Sequence, residues 1–282
     1  MMNRPTIHAI IQARMGSSRL PGKVLLDIGG KPMLAHVADR TRMATSIDQV
    51  IVATTSDPAD DPVAELCDRR GYACYRGSLH DVLDRYAQAA SRYPCDVVAR
   101  ITADCPLIDP VLIDQTAYAL LGIPVSQDQH LVVSEASENS RTDPRFPYDF
   151  AANRLPPPWG RTYPIGLDVE VCTHAALERA WKEASLPHEH EHVMPYLYDQ
   201  PGRFRFVLLN YKQDYGDMRW TVDTPEDLTM VRQLYDYLKA VSDFSWLDVL
   251  QVFQEHIELQ QINASVPHND YRAVDERHGT DR

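Results

Sequence analysis

Chemistry first shows itself between Ala13 and Lys23, in the run ARMGSSRLPGK. Gly16 and Gly22, the hydroxyls of Ser17 and Ser18, and the cations Arg14, Arg19 and Lys23 crowd into this one stretch. Glycine lets a main chain approach a ligand, exposed amides donate, and arginine and lysine offset charge, so the composition suits a phosphate cradle. The spacing is not that of a P-loop, which places Ser or Thr directly after its lysine. Here the gap between the glycines is one residue longer and Val24 follows Lys23. No G-x-G-x-x-G dinucleotide fingerprint occurs. On composition alone, a solvated basic loop would look the same.

Two acids complete the candidate chemistry. Asp104 follows the apolar run Asp96 to Ile101, and Asp223 follows Arg219 to Val222. Both runs read as strands, and ligands of open α/β sheets bind beyond the carboxyl ends of strands. Two carboxylates meeting there would suit Mg²⁺, a hard ion that also takes phosphate oxygens. The simpler readings are a turn acid before Cys105-Pro106 and a helix cap before Pro225-Glu226-Asp227. A different chemistry is written at His188-Glu189-His190-Glu191-His192, which matches the zinc-peptidase pattern H-E-x-x-H. Pro187 and Pro195 bracket it closely and no third ligand is evident downstream, so it reads as an acidic helix start. Cys105 lacks an activating histidine nearby in sequence, and no G-x-S-x-G nucleophile elbow occurs.

The elements that must position these groups alternate. Ile7 to Gln12, Gln49 to Ala53 and Asp96 to Ile101 are short apolar runs of buried strands, with a weaker one at Tyr72 to Tyr75. Between them, Pro32 to Met43, Pro62 to Arg70 (ended by Gly71) and His80 to Tyr93 carry helical spacing. Such alternation predicts βαβ units and a mainly parallel sheet covered on both faces. From Gly122 to Pro164 periodicity fades, and the stretch reads as an irregular insertion or lid with a short strand at Leu131 to Ser134. Further strands are predicted at Gly166 to Val171, Phe204 to Leu209 and Arg219 to Val222. Helices are predicted at Ala175 to Ala184, Glu189 to Tyr198 and Pro225 to Ala240, the last capped by Thr224. Tyr235, Tyr237, Leu238 and Trp246 read as core or dimer contacts. The domain organisation expected is one unit over 1–262 and a flexible tail over 263–282.

Composition narrows the partners. With 28 basic and 40 acidic residues the chain carries −12, which argues against a nucleic-acid partner. No apolar run approaches the roughly 18 residues that span a bilayer, so no membrane partner is expected. Five cysteines are an odd number without a C-x-x-C pair, and the opening MMNRPTIHAIIQAR lacks a signal peptide's apolar core. Both fit a reducing cytoplasm.

The run IIQARMGSSRLPGKVLLDIGGKPMLAHV resembles the opening of the nucleoside-monophosphate sugar cytidylyltransferases. The likeness is above all to the spore-coat polysaccharide biosynthesis protein F family, relatives of the acylneuraminate and deoxy-manno-octulosonate cytidylyltransferases. It recurs at RGSLHDVLDRY, RITADCPLIDP, YPIGLDVEV, EHEHVMPYLYD and RWTVDTPEDL. The resemblance implies a Rossmann-like, GT-A-like nucleotidyltransferase fold with a small lobe for dimerisation or closure, and a homodimer. It implies transfer of CMP from CTP to a hydroxyl of an acidic sugar or related acid, with loss of pyrophosphate. Carried over residue by residue, Asp104 and Asp223 would hold Mg²⁺. Arg14 and Lys23, with the backbone at Ala13, Gly16 and Ser17, would grip the triphosphate. Asp84 and Arg85 would lie near the nucleotide, and Arg161, Tyr163 and Asp168 would border the acceptor. One departure is Ala103 before Asp104, where the family has glycine. Another is Gly122 to Pro147, which looks longer than its counterpart and leaves room for an unusual acidic sugar or a phosphonate. The alternatives are a glycosyltransferase on a similar fold, for which Ala103-Asp104-Cys105 lacks the second aspartate of a D-x-D motif, and a non-catalytic nucleotide-binding protein.

Overall fold

The computed structural model describes residues 4–134, 142–157, 159–239 and 243–267. Its frame is an eight-stranded sheet in the order Ala73–Gly77, Gln49–Thr55, Ile7–Gln12, Val97–Thr102, Glu170–Thr173, Phe150–Ala152, Phe206–Tyr211, Gln129–Val133. Glu170–Thr173 and Gln129–Val133 run against the other strands, so the sheet is mixed and mainly parallel. Ile7–Gln12 lies between Gln49–Thr55 and Val97–Thr102 and is buried on both faces. That burial is why these strands read as continuous apolar runs with no polar alternation.

Helices cover both faces, as expected. Met33–Arg42, Pro110–Leu121, Pro225–Leu238 and Trp246–Glu255 bury Leu34, Ile113, Val231 and Phe253 in the core on one side. Val82–Arg92 and His174–Glu183 bury Leu83, Tyr86 and Leu177 in the core on the other. Pro110–Leu121 was not predicted. It is apolar nearly all round and wedged between elements, so it offers no amphipathic stripe; Asp109, whose side chain accepts from the Leu112 amide, and Pro110 at the first turn mark its start.

Several expectations are corrected. In the stretch read as an irregular insertion or lid, 122–164, the strand predicted at Leu131 to Ser134 is present as Gln129–Val133 at the edge of the main sheet, but an unpredicted strand, Phe150–Ala152, lies within that sheet. The same stretch also supplies a short antiparallel ribbon, Arg154–Leu155 against Gly160–Arg161. Residues 135–141 and 158 of that stretch lie outside the described residues. The strand predicted over Gly166 to Val171 begins only at Glu170, because Gly166 has φ +104 and turns the chain off the ladder. There the Asn153 side chain substitutes for a strand neighbour, donating to Leu167 O (2.7 Å) and accepting from the Val169 amide (2.8 Å). Arg219 to Val222 makes no ladder, only one parallel bridge to Ile165. The helix predicted over Glu189 to Tyr198 breaks at Val193, φ +71, into Pro187–His192 and Pro195–Tyr198. The first residue of the predicted tail, Asn263, is tied into the fold. Asn263 is buried and its Nδ2 donates to Arg219 O (3.1 Å) and Asp227 Oδ1 (2.9 Å); residues 268–282 lie outside the described residues. Tyr235, Leu238 and Trp246 belong to the core, while Tyr237 is exposed and stacks on His256.

Candidate active site

Two adjacent parallel strands end side by side, Ile7–Gln12 running into the loop from Ala13 and Val97–Thr102 running into Asp104. The loop is pinned beneath by Asp60, whose Oδ1 accepts the Met15 amide at 2.6 Å and whose Oδ2 accepts the Thr55 hydroxyl. It then curls on Met15 O, which accepts from Ser17 N (3.0 Å) and Gly22 N (2.9 Å). Gly22, at φ +69, is the glycine this curl requires. A Cβ at Gly16 would meet nothing within 4 Å. The amide expected to face phosphate at Ser17 is thus already donated inside the loop.

The curl delivers Lys23 to both acids at once. Its Nζ donates to Asp104 Oδ2 at 2.8 Å, to Asp223 Oδ1 at 2.8 Å and to Val222 O at 3.0 Å. The acids meet because the segments carrying them are stitched together: Val222 N donates to Asp104 O (2.9 Å) and Thr221 Oγ1 to the same oxygen (3.1 Å). On the far side, Asp223 Oδ2 takes Arg19 Nη2 at 2.9 Å and Arg219 Nη2 at 2.8 Å. Arg219 is aimed by the buried Asp227, which accepts both its Nε and Nη2 at 2.9 Å. Asp227 Oδ2 also accepts the amides of Asp223 and Thr224, fixing Asp223 at the helix start. Burial raises the Asp104 pKa, but the charge and hydrogen bond of Lys23 outweigh it and hold the carboxyl at about 2. The same pairing overcomes burial at Lys23 and raises its ammonium above the usual lysine value.

The acids open onto a cavity of about 840 Å³. Its other wall carries Arg154, Arg161 and Asp168. Arg161 donates Nη1 and Nη2 to the two oxygens of Asp168 at 2.9 and 3.3 Å. Arg154 Nε is 3.6 Å from Asp168 Oδ2 and, among the described residues, has no hydrogen-bond partner although it is buried. Behind them Arg100 forms a buried ion pair with Glu170 and donates Nε to Gln12 Oε1 at 3.2 Å.

Of the site residues predicted, the structure brings Ala13, Arg14, Gly16, Ser17, Lys23, Asp104 and Asp223 to the strand ends, and Arg161 and Asp168 to the cavity. Three are placed elsewhere. Asp84 faces the helix His174–Glu183, accepting from Trp181 Nε1 at 3.0 Å and Gln88 Nε2 at 3.3 Å. Arg85 is buried, donating to Ser78 O at 2.6 Å; burial first, then the nearby Arg14 charge, pull its pKa below the ordinary value. Tyr163 is a core residue packed on Tyr211 and Trp246, its hydroxyl accepting from Gln129 Nε2 at 2.9 Å. Sequence reasoning counted Arg19 only as one of the loop's three cations and assigned no role to Arg154 or Arg219. Arg19 and Arg219 sit inside quoted blocks, whereas Arg154 carries no local signal.

The competing chemistries lose their geometry. His188 pairs with Asp199, His190 with Asp81, and Glu189 caps the amides of Ser185 and Leu186. No group of three or more metal-ligating side chains gathers among the described residues. The Cys105 thiol is buried beside Asp104, and both effects push it well above its usual range, away from a nucleophile. No helix among the described residues is long and apolar enough to cross a membrane.

The sequence profile of the family described as Cytidylyltransferase matches residues 8–147. The solved structure of a cytidylyltransferase from Leptospira borgpetersenii is 30% identical, covers 94% of this chain and 100% of its own, and superposes with a TM-score of 0.77. An uncharacterised protein of Methanocaldococcus jannaschii is 34% identical over 96% of this chain and 99% of its own. The spore coat polysaccharide biosynthesis protein SpsF of Bacillus subtilis is 29% identical over 88% of this chain and 93% of its own. A 3-deoxy-manno-octulosonate cytidylyltransferase of Trichlorobacter lovleyi is 39% identical over 42% of this chain and 46% of its own. This chain belongs to the cytidylyltransferase family.

Proposed function

We propose that the protein moves CMP from CTP to a hydroxyl of an acidic sugar, or a related acid such as a phosphonate, and releases pyrophosphate. The convergence of Asp104 and Asp223 on one point, opposite the loop that carries Lys23 and Arg19, carries the reading. Two carboxylates within 2.8 Å of a single cation position, with Val222 O 3.0 Å from it, are a donor set that fits Mg²⁺. Asp104 and Asp223 would hold the ion, which would offset charge on the phosphate oxygens.

The rest of the work falls to the chain's own residues. The acceptor hydroxyl oxygen attacks the α-phosphorus in line and gives up its proton to solvent, the phosphoanhydride bond breaks, and pyrophosphate leaves with the electron pair. Positioning and fixed charge carry most of such a rate. Arg14, Arg19 and Lys23 supply cations on the loop side. Asp104, held at about 2, is a poor base at neutral pH, so its task is to hold charge and not to take the hydroxyl proton.

The named relative among the 3-deoxy-manno-octulosonate cytidylyltransferases acts on a keto-acid sugar, and the acceptor wall agrees with an anion. Arg161 has both terminal nitrogens engaged by Asp168, whereas Arg154, among the described residues, meets Asp168 only through Nε at 3.6 Å and lines the same cavity. Arg154 is therefore the acceptor's anion anchor, and the Arg161–Asp168 pair offers its edges to hydroxyls. Gln129–Val133, in the middle stretch, forms a sheet edge and does not line the cavity, whereas the ribbon residues Arg154, Leu155, Gly160 and Arg161 do. A homodimer is part of this proposal, checked by sedimentation. The experiment that decides the activity is a pyrophosphate-release screen of four nucleotides against keto-acid sugars, their neutral analogues and phosphonates. Release with CTP and acids alone is expected; release with the neutral analogues, or CTP binding with no release from any acceptor, would overturn it.

A further inference from the structure

Lys23 has three N–H groups, and the structure gives it three acceptors, Asp104 Oδ2, Asp223 Oδ1 and Val222 O. The ammonium is thus saturated inside the acid pair, and its side chain is only 12% exposed. Asp223 Oδ2 is taken by Arg19 and Arg219. Two of these three cations, Lys23 and Arg19, ride on the same strand-end loop. The two carboxylates that suit a divalent ion are therefore already neutralised by the protein's own side chains.

We propose that Lys23 is a built-in occupant of the cation position: lysine and metal compete for the same oxygens of Asp104 and Asp223, so the divalent ion enters with the nucleotide and not before it. This rests on reading the two acids as the metal-holding pair. A divalent ion arriving alone must displace an ammonium held by two ionised carboxylates and then sit beside its unrelieved charge. A triphosphate changes the balance. Its oxygens can accept from Lys23 and Arg19 and also coordinate the metal, so the ammonium moves onto a new anion and the carboxylates are released to the ion. The loop and the acids are then coupled: the cations that latch the loop down are the ones that grip the nucleotide.

The test is a Mn²⁺ titration of metal-stripped, nucleotide-free protein followed by electron paramagnetic resonance, with melting curves to confirm folding. Lys23→Met is expected to bind Mn²⁺ at least tenfold more tightly than wild type, Lys23→Arg to stay within a few-fold of wild type, and Lys23→Met/Asp104→Asn to lose the gain. A readout that needs no variant runs alongside: a non-hydrolysable CTP analogue should raise wild-type Mn²⁺ affinity at least tenfold. Equal Mn²⁺ affinity in wild type and Lys23→Met overturns the competition. If the analogue still recruits Mn²⁺ to the wild type but not to Asp104→Asn in that case, the acid pair stands as the metal site. If no Mn²⁺ binds with or without the analogue, the reading of the acid pair falls with it.

Discussion

The two sides of the crevice hold their charges in opposite ways. On the loop side, partners come from far apart in the chain: Lys23 reaches Asp104 across 81 positions and Asp223 across 200. On the acceptor side the main pair, Arg161 with Asp168, spans seven. The long-range cluster is both chemistry and tertiary tie, since the same contacts fasten the loop to the segment before the helix Pro225–Leu238. The wall proposed to take the acceptor is a local arrangement, Arg154 and Arg161 standing on a short ribbon with Asp168 seven positions beyond Arg161. A charge-compensated cluster on one side and an arginine with a spare donor on the other is the difference expected when one side meets an invariant triphosphate and the other selects among acids.

The sharpest way to break this comparison is to neutralise the acid pair. Asp104→Asn and Asp223→Asn each keep one side-chain oxygen to accept a hydrogen bond, so the fold should survive. Pyrophosphate release should fall by about 100- to 1,000-fold, the scale of losing one fixed charge-stabilising group in a site of this kind. Near-normal metal-dependent release in either folded variant would dissolve the distinction between the two sides.

The second way is Arg154→Met set against Arg161→Met. Losing a charge-assisted hydrogen bond to an anion costs about 1.5–3 kcal/mol, so Arg154→Met should raise the acceptor KM by about tenfold or more and leave the CTP KM unchanged. Arg161→Met should do less, because its donors are spent on Asp168. An equal effect of the two, or a shift in the CTP KM, would mean that the wall has no spare donor and that the cavity is not divided this way.

The same contrast explains what could be read from the sequence. Loop, acids and strands of the first half were legible because each is local: a glycine- and cation-rich run after an apolar strand, an acid after the next strand, helices with an apolar stripe. The meeting of Asp104 with Asp223 was inferred from both following strand-like runs, and it holds, although Arg219 to Val222 is tied by the Val222–Asp104 and Trp220–Ile165 backbone bonds and not by a ladder. Phe150–Ala152 was missed because three small or aromatic residues in a proline-rich setting make no period, and only its neighbours Glu170–Thr173 and Phe206–Tyr211 make it a strand. Asp84, Arg85 and Tyr163 lie in or beside recurring sequence blocks, yet none lines the cavity: Asp84 ties two helices, Arg85 is buried and Tyr163 is core. A block shared with a family records burial as readily as function. Arg154 had no pattern at all; what singles it out is a buried nitrogen without a partner, a property of three dimensions only.

Gly166 tests the seam between the sides. At φ +104, a Cβ there would stand 2.6 Å from Thr221 N and 2.7 Å from Trp220 C, backbone atoms that cannot move without shifting Asp223. Gly166→Ala should lower unfolding stability by about 1–3 kcal/mol, measured by urea denaturation, and weaken acceptor and nucleotide binding together. A stable variant with only the acceptor affected would show that the seam is looser than its contacts.

The smallest expected effect is on pH, and it distinguishes the cluster from the wall most directly. Asp104 is held at about 2, below the roughly 3.9 of an unfolded aspartate. A depressed folded value means that the unfolded chain takes up the proton first as pH falls, so the stability this carboxylate lends is full above about pH 4 and is lost on the way down to about 2. Lys23 works in the other direction: its raised value keeps its contribution in place below the ordinary lysine range and loses it only at higher pH. In chelator, the stability gap between wild type and Asp104→Asn should therefore be constant from about pH 5 to 9 and close below about pH 4. A gap that already shrinks between pH 7 and 5 would mean that Lys23 does not hold Asp104 ionised, and the acid pair would lose its standing as a compensated cluster.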